Sequence, residues 1–165
     1  MALTIIGIDP GSVCLGWGVV REESGVVSLV ECGVVRPKGK DFSARMGNLF
    51  VELSKVIEKF QPDEAAVETV FTHKNIMSAL KLGQARGVAL AACAGQGVLV
   101  ADYEPTAIKK ALVGTGRAEK SQVSFMVSRI LGVKEDWAVD AGDALGCAIC
   151  HLNTRRLAAL TAKAR

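Results

Sequence analysis

Leu3-Thr4-Ile5-Ile6-Gly7-Ile8-Asp9-Pro10-Gly11-Ser12 is an apolar run that ends on a carboxylate and a tight turn. The run reads as a strand over residues 3–9, and Pro10-Gly11-Ser12 turns the chain back. Residues 15–21 and 26–36 read as two further strands, with Arg21-Glu22-Glu23-Ser24-Gly25 as a hairpin turn. The pattern then changes period. Met46, Leu49, Phe50, Leu53, Val56, Ile57 and Phe60 recur every 3.6 residues and predict a helix over 43–60, ended by Gln61-Pro62-Asp63. A short buried strand follows at 64–69, a helix at 75–94 and a strand from Gly97 to Asp102. A short helix near 105–112, a glycine-bearing loop, a helix near 119–132 and a last helix from about 139 to 157 complete the chain. Three meandering strands followed by alternating helix and strand predict an α/β fold, a mixed five-stranded sheet with helices on both faces.

Composition narrows the class. At 165 residues the chain makes one domain able to bury a sizeable core. The expected division is a single domain over 1–157 and a short basic tail over 158–165. Arg155, Arg156, Lys163 and Arg165 at this end read as solvated charges. Half of the residues are apolar, yet no run reaches the roughly 18 that a membrane helix needs. The N-terminus has no basic n-region or cleavage site, so the expected compartment is the cytoplasm. A net charge of +3 is weak evidence of a polyanionic partner. The five cysteines read as reduced thiols. Cys147-Ala148-Ile149-Cys150-His151 has the spacing of a c-type haem attachment, but that chemistry belongs to exported proteins. A zinc half-site lacks its second pair. The plain reading is two small residues on the core side of a helix.

Four acids carry the chemistry. Asp9 ends the first strand and Glu68 ends the fourth, so neighbouring strands would deliver both to one edge of the sheet. Asp140 and Asp143, at i and i+3, share one helix face. Burying a carboxylate is costly unless something compensates it. Several at one point suit hard cations such as Mg²⁺ or Mn²⁺, and a pair of ions about 3.5–4 Å apart is the arrangement for in-line attack on phosphodiesters. Taken singly, each acid has an ordinary alternative as a cap or turn residue, and for Asp140 that is an N-cap. Ile108-Lys109-Lys110-Ala111-Leu112-Val113-Gly114-Thr115-Gly116-Arg117-Ala118-Glu119-Lys120 places four cations around a glycine turn, a segment suited to backbone phosphates or simply a solvated loop.

The motifs Ile6-Gly7-Ile8-Asp9-Pro10-Gly11-Ser12, Val67-Glu68-Thr69-Val70-Phe71, Ser78-Ala79-Leu80-Lys81-Leu82-Gly83-Gln84-Ala85-Arg86-Gly87 and Asp140-Ala141-Gly142-Asp143-Ala144-Leu145 closely resemble, in order, those of the RuvC-type Holliday-junction resolvases. The resemblance covers about residues 3–153. It implies a ribonuclease-H-like fold, a homodimer and Mg²⁺-dependent paired nicking of four-way DNA junctions in recombination and repair. It implies Asp9, Glu68, Asp140 and Asp143 as catalytic, metal-binding acids, with two Mg²⁺ ions per site and Mn²⁺ as a substitute. Lys109 and Lys120 match the family's DNA-contacting lysines, with Lys110 and Arg117 beside them. Phe71 matches an aromatic near the junction centre; its alternative is a core Phe closing the sheet edge. A branch-migration complex of a junction-binding protein and a hexameric motor is the implied partner. Gly142 and Glu104 have no place in this pattern.

Ala79, Gly83, Gly87 and Ala91 form a stripe of small residues on one helix. Helix-interior glycines cost about 1 kcal/mol each relative to alanine, so another backbone is expected close by. It belongs either to the chain's own sheet or to the same helix of a second subunit. The rival readings are an ATP-using fold of the actin and sugar-kinase kind, for which the chain is too short, a silent nucleic-acid-binding relative, which would lose acids, and a resolvase-like RNA-processing nuclease, which the long Ser78–Gly87 match opposes.

Overall fold

The structure is a computed structural model and describes residues 2–69 and 75–163. β1 (Leu3–Asp9), β2 (Leu15–Glu23) and β3 (Val26–Val35) form an antiparallel meander. β4 (Glu64–Glu68) and β5 (Leu99–Tyr103) join parallel to β1, giving one sheet in the order β3-β2-β1-β4-β5. The β2–β3 hairpin is tighter than its sequence indicates. Strand pairing runs to Glu23 and restarts at Val26, leaving Ser24 (φ 51°) and Gly25 (φ 85°) as the turn. Two successive positive φ values give the twist that matches paired strands.

α1 (Phe42–Phe60) and α2 (Ile76–Gly95) follow the expected spans. Asp41 caps α1 by accepting from the Ala44 amide, and Asn75 caps α2 by accepting from Met77 and Ser78. α3 (Pro105–Val113) opens on a proline, which suits the first helical position. Glu104 precedes it, and its carbonyl accepts from Ala107 and Ile108. α4 (Lys120–Leu131) ends at Gly132, whose φ of 67° stops the helix. α5 runs from Val139 to Lys163, six residues past the expected end. Leu157-Ala158-Ala159-Leu160-Thr161-Ala162-Lys163 holds no helix breaker and mostly strong helix formers, so the expected tail is largely helix.

Side-chain alternation splits the sheet into two faces. Ile6, Ile8, Trp17, Val19 and Val67 pack under α1 and α2. Ile5, Val20 and Ala66 pack under α5, with Ile108 of α3 and Val127 of α4 at its flank. The two faces are built differently. A Cβ on Gly7 would stand 1.9 Å from the Ala144 carbonyl oxygen, and one on Gly16 would stand 1.9 Å from that of Asp140. α5 therefore lies main chain to main chain on β1 and β2. Isolated glycines in a strand mark such close approach.

The small-residue stripe of α2 does not face the sheet. Gly87 and Ala91 are exposed, and a Cβ on Gly83 or Gly87 would meet nothing within 4 Å. The residues that α2 buries are Ala85, Ala89, Ala92 and Cys93.

Candidate active site

β1 and β4 run parallel with Ile8 beside Val67, so the next residues, Asp9 and Glu68, leave the sheet side by side. Both belong to the face under α5, in phase with Ile5 and Ala66. Gly16 of β2 is the register partner of Asp9 and lies against the main chain of Asp140. The first turns of α5 thus sit one strand away from Asp9. Asp140 is the second residue of α5 and Asp143 lies one turn on, so Asp140 belongs to the helix rather than capping it.

The electrostatics show the crowding. Burial raises the Asp9 carboxyl from 3.8 to about 8, and the charges of Glu68, Asp143 and Asp140 add to the rise. Burial also raises Glu68 from 4.5 to about 7, with Asp143 adding and Lys120 and Lys109 opposing. Lys120 Nζ lies 2.9 Å from Asp143 Oδ2, and this bond is the main cause that raises the lysine. Glu68, Asp143, Lys109, Lys120, Ile108 and Pro105 line one cleft. Among the described residues no three His, Cys, Asp or Glu side chains already stand as a closed ligand set. The acids approach one another while Lys120 occupies the side of Asp143.

The other expected residues divide. Lys110 is exposed on α3 and Arg117 on the loop after it, outside the residues that line the cleft. Phe71 lies outside the described residues. Cys14 gave no signal in the sequence. Burial and a hydrogen bond to Asp140 push its thiol up to about 11, so it stays protonated next to the acids. Gly142 now has a place: a Cβ there would stand 2.6 Å from Trp137 Nε1, so the glycine makes room for the indole.

The opposite end of β4 holds a second polar cluster. His151, 7 % exposed, places Nε2 2.7 Å from Glu64 Oε2 and Nδ1 2.8 Å from the Tyr103 hydroxyl. Arg155 Nε donates to Glu64 Oε1 at 2.9 Å. Arg156 Nε donates to Glu22, and its Nη2 donates to the Gly25 carbonyl of the hairpin turn. The expectation of solvated charges at Arg155 and Arg156 is therefore corrected: both tie α5 to the sheet. Cys147 and Cys150 are buried core thiols, as read.

An α/β chain with this strand order, acids ending its first and fourth strands and two more on the covering helix, has the ribonuclease-H-like fold. The family model of the crossover junction endodeoxyribonuclease RuvC matches residues 5–151. The chain belongs to this family. It is 63 % identical over 159 residues to the RuvC of Nitratidesulfovibrio vulgaris strain Hildenborough, covering 96 % of each chain. It superposes on the structure of Thermus thermophilus RuvC in complex with Holliday junction substrate with a TM-score of 0.88 at 34 % identity, covering 94 % of this chain and 96 % of that one. The yeast mitochondrial Holliday junction resolvase Ydc2 shares the fold, with a TM-score of 0.69 at 14 % identity over 92 % of this chain and 78 % of that one.

Proposed function

We propose that Asp9, Glu68, Asp140 and Asp143 form the catalytic centre of this junction-cutting enzyme. As a member of its family the chain is a metal-dependent endodeoxyribonuclease that resolves four-way DNA junctions. The observation that carries the site is geometric: Asp9 and Glu68 end adjacent parallel strands, and Gly16, the register partner of Asp9, lies against the main chain of Asp140 on α5. Such a donor set is all oxygen and acidic, and it fits hard divalent cations, with Mg²⁺ as the occupant, two ions per site and Mn²⁺ as a substitute. Asp9, Glu68, Asp140 and Asp143 would hold the cations, which would activate water at neutral pH and offset charge on the transferring phosphate.

The chain's own residues do the rest. Lys109 and Lys120 border the acids and bind the scissile phosphate, where their charge offsets what grows on its oxygens. The Lys120 side chain is 73 % exposed, so it is free to move from Asp143 onto a phosphate. Lys110 and Arg117 lie further out and hold flanking backbone phosphates. Water attacks phosphorus in line, the 3′ oxygen leaves, and a 5′-phosphate remains.

Paired cuts require two sites related by a two-fold axis. Ile76, Leu80, Gly83 and Gly87 of α2 are exposed and lie at helical spacing. A smooth apolar strip with open glycines fits a second copy of the same helix, and a homodimer follows. Gly87→Leu should shift the sedimentation mass from dimer to monomer; an unchanged mass would remove α2 from the interface. No described helix is long and apolar enough to cross a membrane. Action on chromosomal junctions in the cytoplasm, beside a junction-binding protein and a hexameric motor, is the setting the family implies.

The test is incubation with a synthetic four-way junction, a linear duplex and an RNA–DNA hybrid, each with Mg²⁺ or EDTA. Symmetric nicks on the junction alone, only with Mg²⁺, are expected. Equal cutting of the hybrid would replace this reading with that of an RNA-processing nuclease. Asp9→Asn should keep junction binding and lose cutting; loss of both in a folded protein would make Asp9 a binding or structural residue.

A further inference from the structure

The end of the sheet that carries Asp9 has a second basic flank. Asp9 pairs with Gly16 of β2, and Gly16 pairs with Val34 of β3. β1 and β3 both run antiparallel to β2, so Arg36 leaves the sheet at the same end as Asp9. It alternates in phase with Val34 and therefore lies on the same face as Asp9. Two strand spacings separate the two residues, about 10 Å across the sheet. The segment Arg36-Pro37-Lys38-Gly39-Lys40-Asp41 then crosses the end of the sheet to α1, and Arg36, Lys38 and Lys40 are exposed on it. Its main chain is pinned. The Lys38 amide donates to Asn48 Oδ1 at 2.7 Å, and a Cβ on Gly39 would stand 2.7 Å from the Arg45 amide nitrogen. Asp41, the acid of the segment, accepts from the Ala44 amide at 2.8 Å.

Ion pairing sets these cations apart. Lys55, Lys59, Arg86, Arg155 and Arg156 each lie against a carboxylate. Among the described residues no carboxylate pairs with Arg36, Lys38 or Lys40. Three uncompensated cations on a fixed segment create a positive potential that an external polyanion satisfies. The Arg36 charge reaches Cys14, whose thiol bonds Asp140. The acids thus lie between two basic flanks. Lys109 and Lys120 line the cleft with Glu68 at the end of β4, whereas Arg36 leaves β3 on the other side of β1. A strand seated on the acids must continue past them, and the separation from Asp9 to Arg36 matches about three nucleotides at about 3.4 Å of rise each. We propose that Arg36, Lys38 and Lys40 form a second phosphate track, which holds the backbone of the duplex arm about three nucleotides from the cut, on the side away from Lys109. Such contacts read no sequence. They fix the register of the arm, so that the scissile phosphate meets the acids. The inference rests on the nuclease reading above, since it takes the cut junction as the ligand.

The experiment measures binding of a synthetic four-way junction in EDTA by full-length protein. A variant carrying Arg36→Gln, Lys38→Gln and Lys40→Gln is set against a control carrying Arg21→Gln, Lys55→Gln and Lys59→Gln, which loses the same charge away from the acids. Each lost phosphate contact should flatten the dependence of log affinity on log salt by about 0.9, and the track variant should bind at least about tenfold more weakly at physiological salt. The control should keep the wild-type slope. A wild-type slope in the track variant, or equal slopes in the two variants, would overturn the proposal. Melting temperatures check that each protein is folded, and the three single substitutions replace the triple where it melts early. Single methylphosphonates along the cut strand then locate the contacts. A neutral linkage about three nucleotides from the cut on one side should weaken wild type and leave the track variant unaffected, while neutral linkages on the other side weaken both. The same profile in both proteins would also overturn the track. If wild type binds the junction but never cuts it with Mg²⁺, the nuclease reading falls, while the salt slopes still decide the track.

Discussion

Glu64 and Glu68 begin and end the same strand and lie on the same face of the sheet, yet their surroundings treat them oppositely. Burial pushes the Glu64 carboxyl up, but the His151 hydrogen bond and Arg155 outweigh it and hold the acid below its ordinary value. At Glu68 burial is joined by Asp143, and the two lysines nearby leave it raised at about 7. The lesson is that neither residue type nor burial assigns a role. What differs is whether the protein has supplied the compensating cations itself. At Glu64 it has, and the acid joins β4 to α5. At Glu68 it has instead gathered further acids.

The comparison breaks most sharply on activity. Glu68→Gln should lower junction cutting by at least about a thousandfold, or about 4 kcal/mol of barrier, in single-turnover assays while gel-shift binding persists. Glu64→Gln should leave cutting largely intact, because the residue lies at the far end of β4. Its cost is expected in stability, about 2 kcal/mol by urea denaturation, since Arg155 and His151 lose a charged acceptor. An inactive but stable Glu64→Gln protein would reverse the assignment.

A smaller effect is expected in the pH profile. Glu68 and Asp9 bind protons more tightly folded than unfolded, so their contribution is full below about 4 and is lost as pH rises through about 7 and about 8. Glu64 has the opposite sign: its contribution is present above 4.5 and lost as pH falls through its lowered folded value. In EDTA the melting temperature should therefore peak between these limits. If the acids hold the cation as proposed, added Mg²⁺ should flatten the alkaline limb alone. Asp9→Asn should flatten the same limb without metal. A metal effect on the acid limb would place the ion at the wrong end of β4.

Much of this was legible in order along the chain. The strand ending at Asp9, the helical period from Met46 to Phe60 and the i, i+3 pair at Asp140 and Asp143 are local signals, and local periodicity reports them. What was not legible depends on contacts distant in sequence. Glu64 and His151 lie 87 residues apart, and nothing in either neighbourhood announces their bond. Arg155 and Arg156 have the composition of a solvated tail, and only α5 crossing the sheet gives them partners. Gly7 and Gly16 read as weak points in strands, because the carbonyls they admit come from a helix more than a hundred residues later. The α2 stripe was ambiguous for the same reason. Periodicity shows that a face is small, not what lies opposite it.

The seating of α5 on Gly7 and Gly16 has a consequence for how such a chain can diverge. At these two positions no side chain stands between strand and helix, so the spacing from β1 to the acid-bearing turn is set there by main-chain contact. Leucine, isoleucine and methionine under α1 and α2 can be exchanged for one another over generations without moving Asp9 relative to Asp140. The two glycines have no such freedom: any larger residue displaces the helix bodily, and both its carboxylates travel with it.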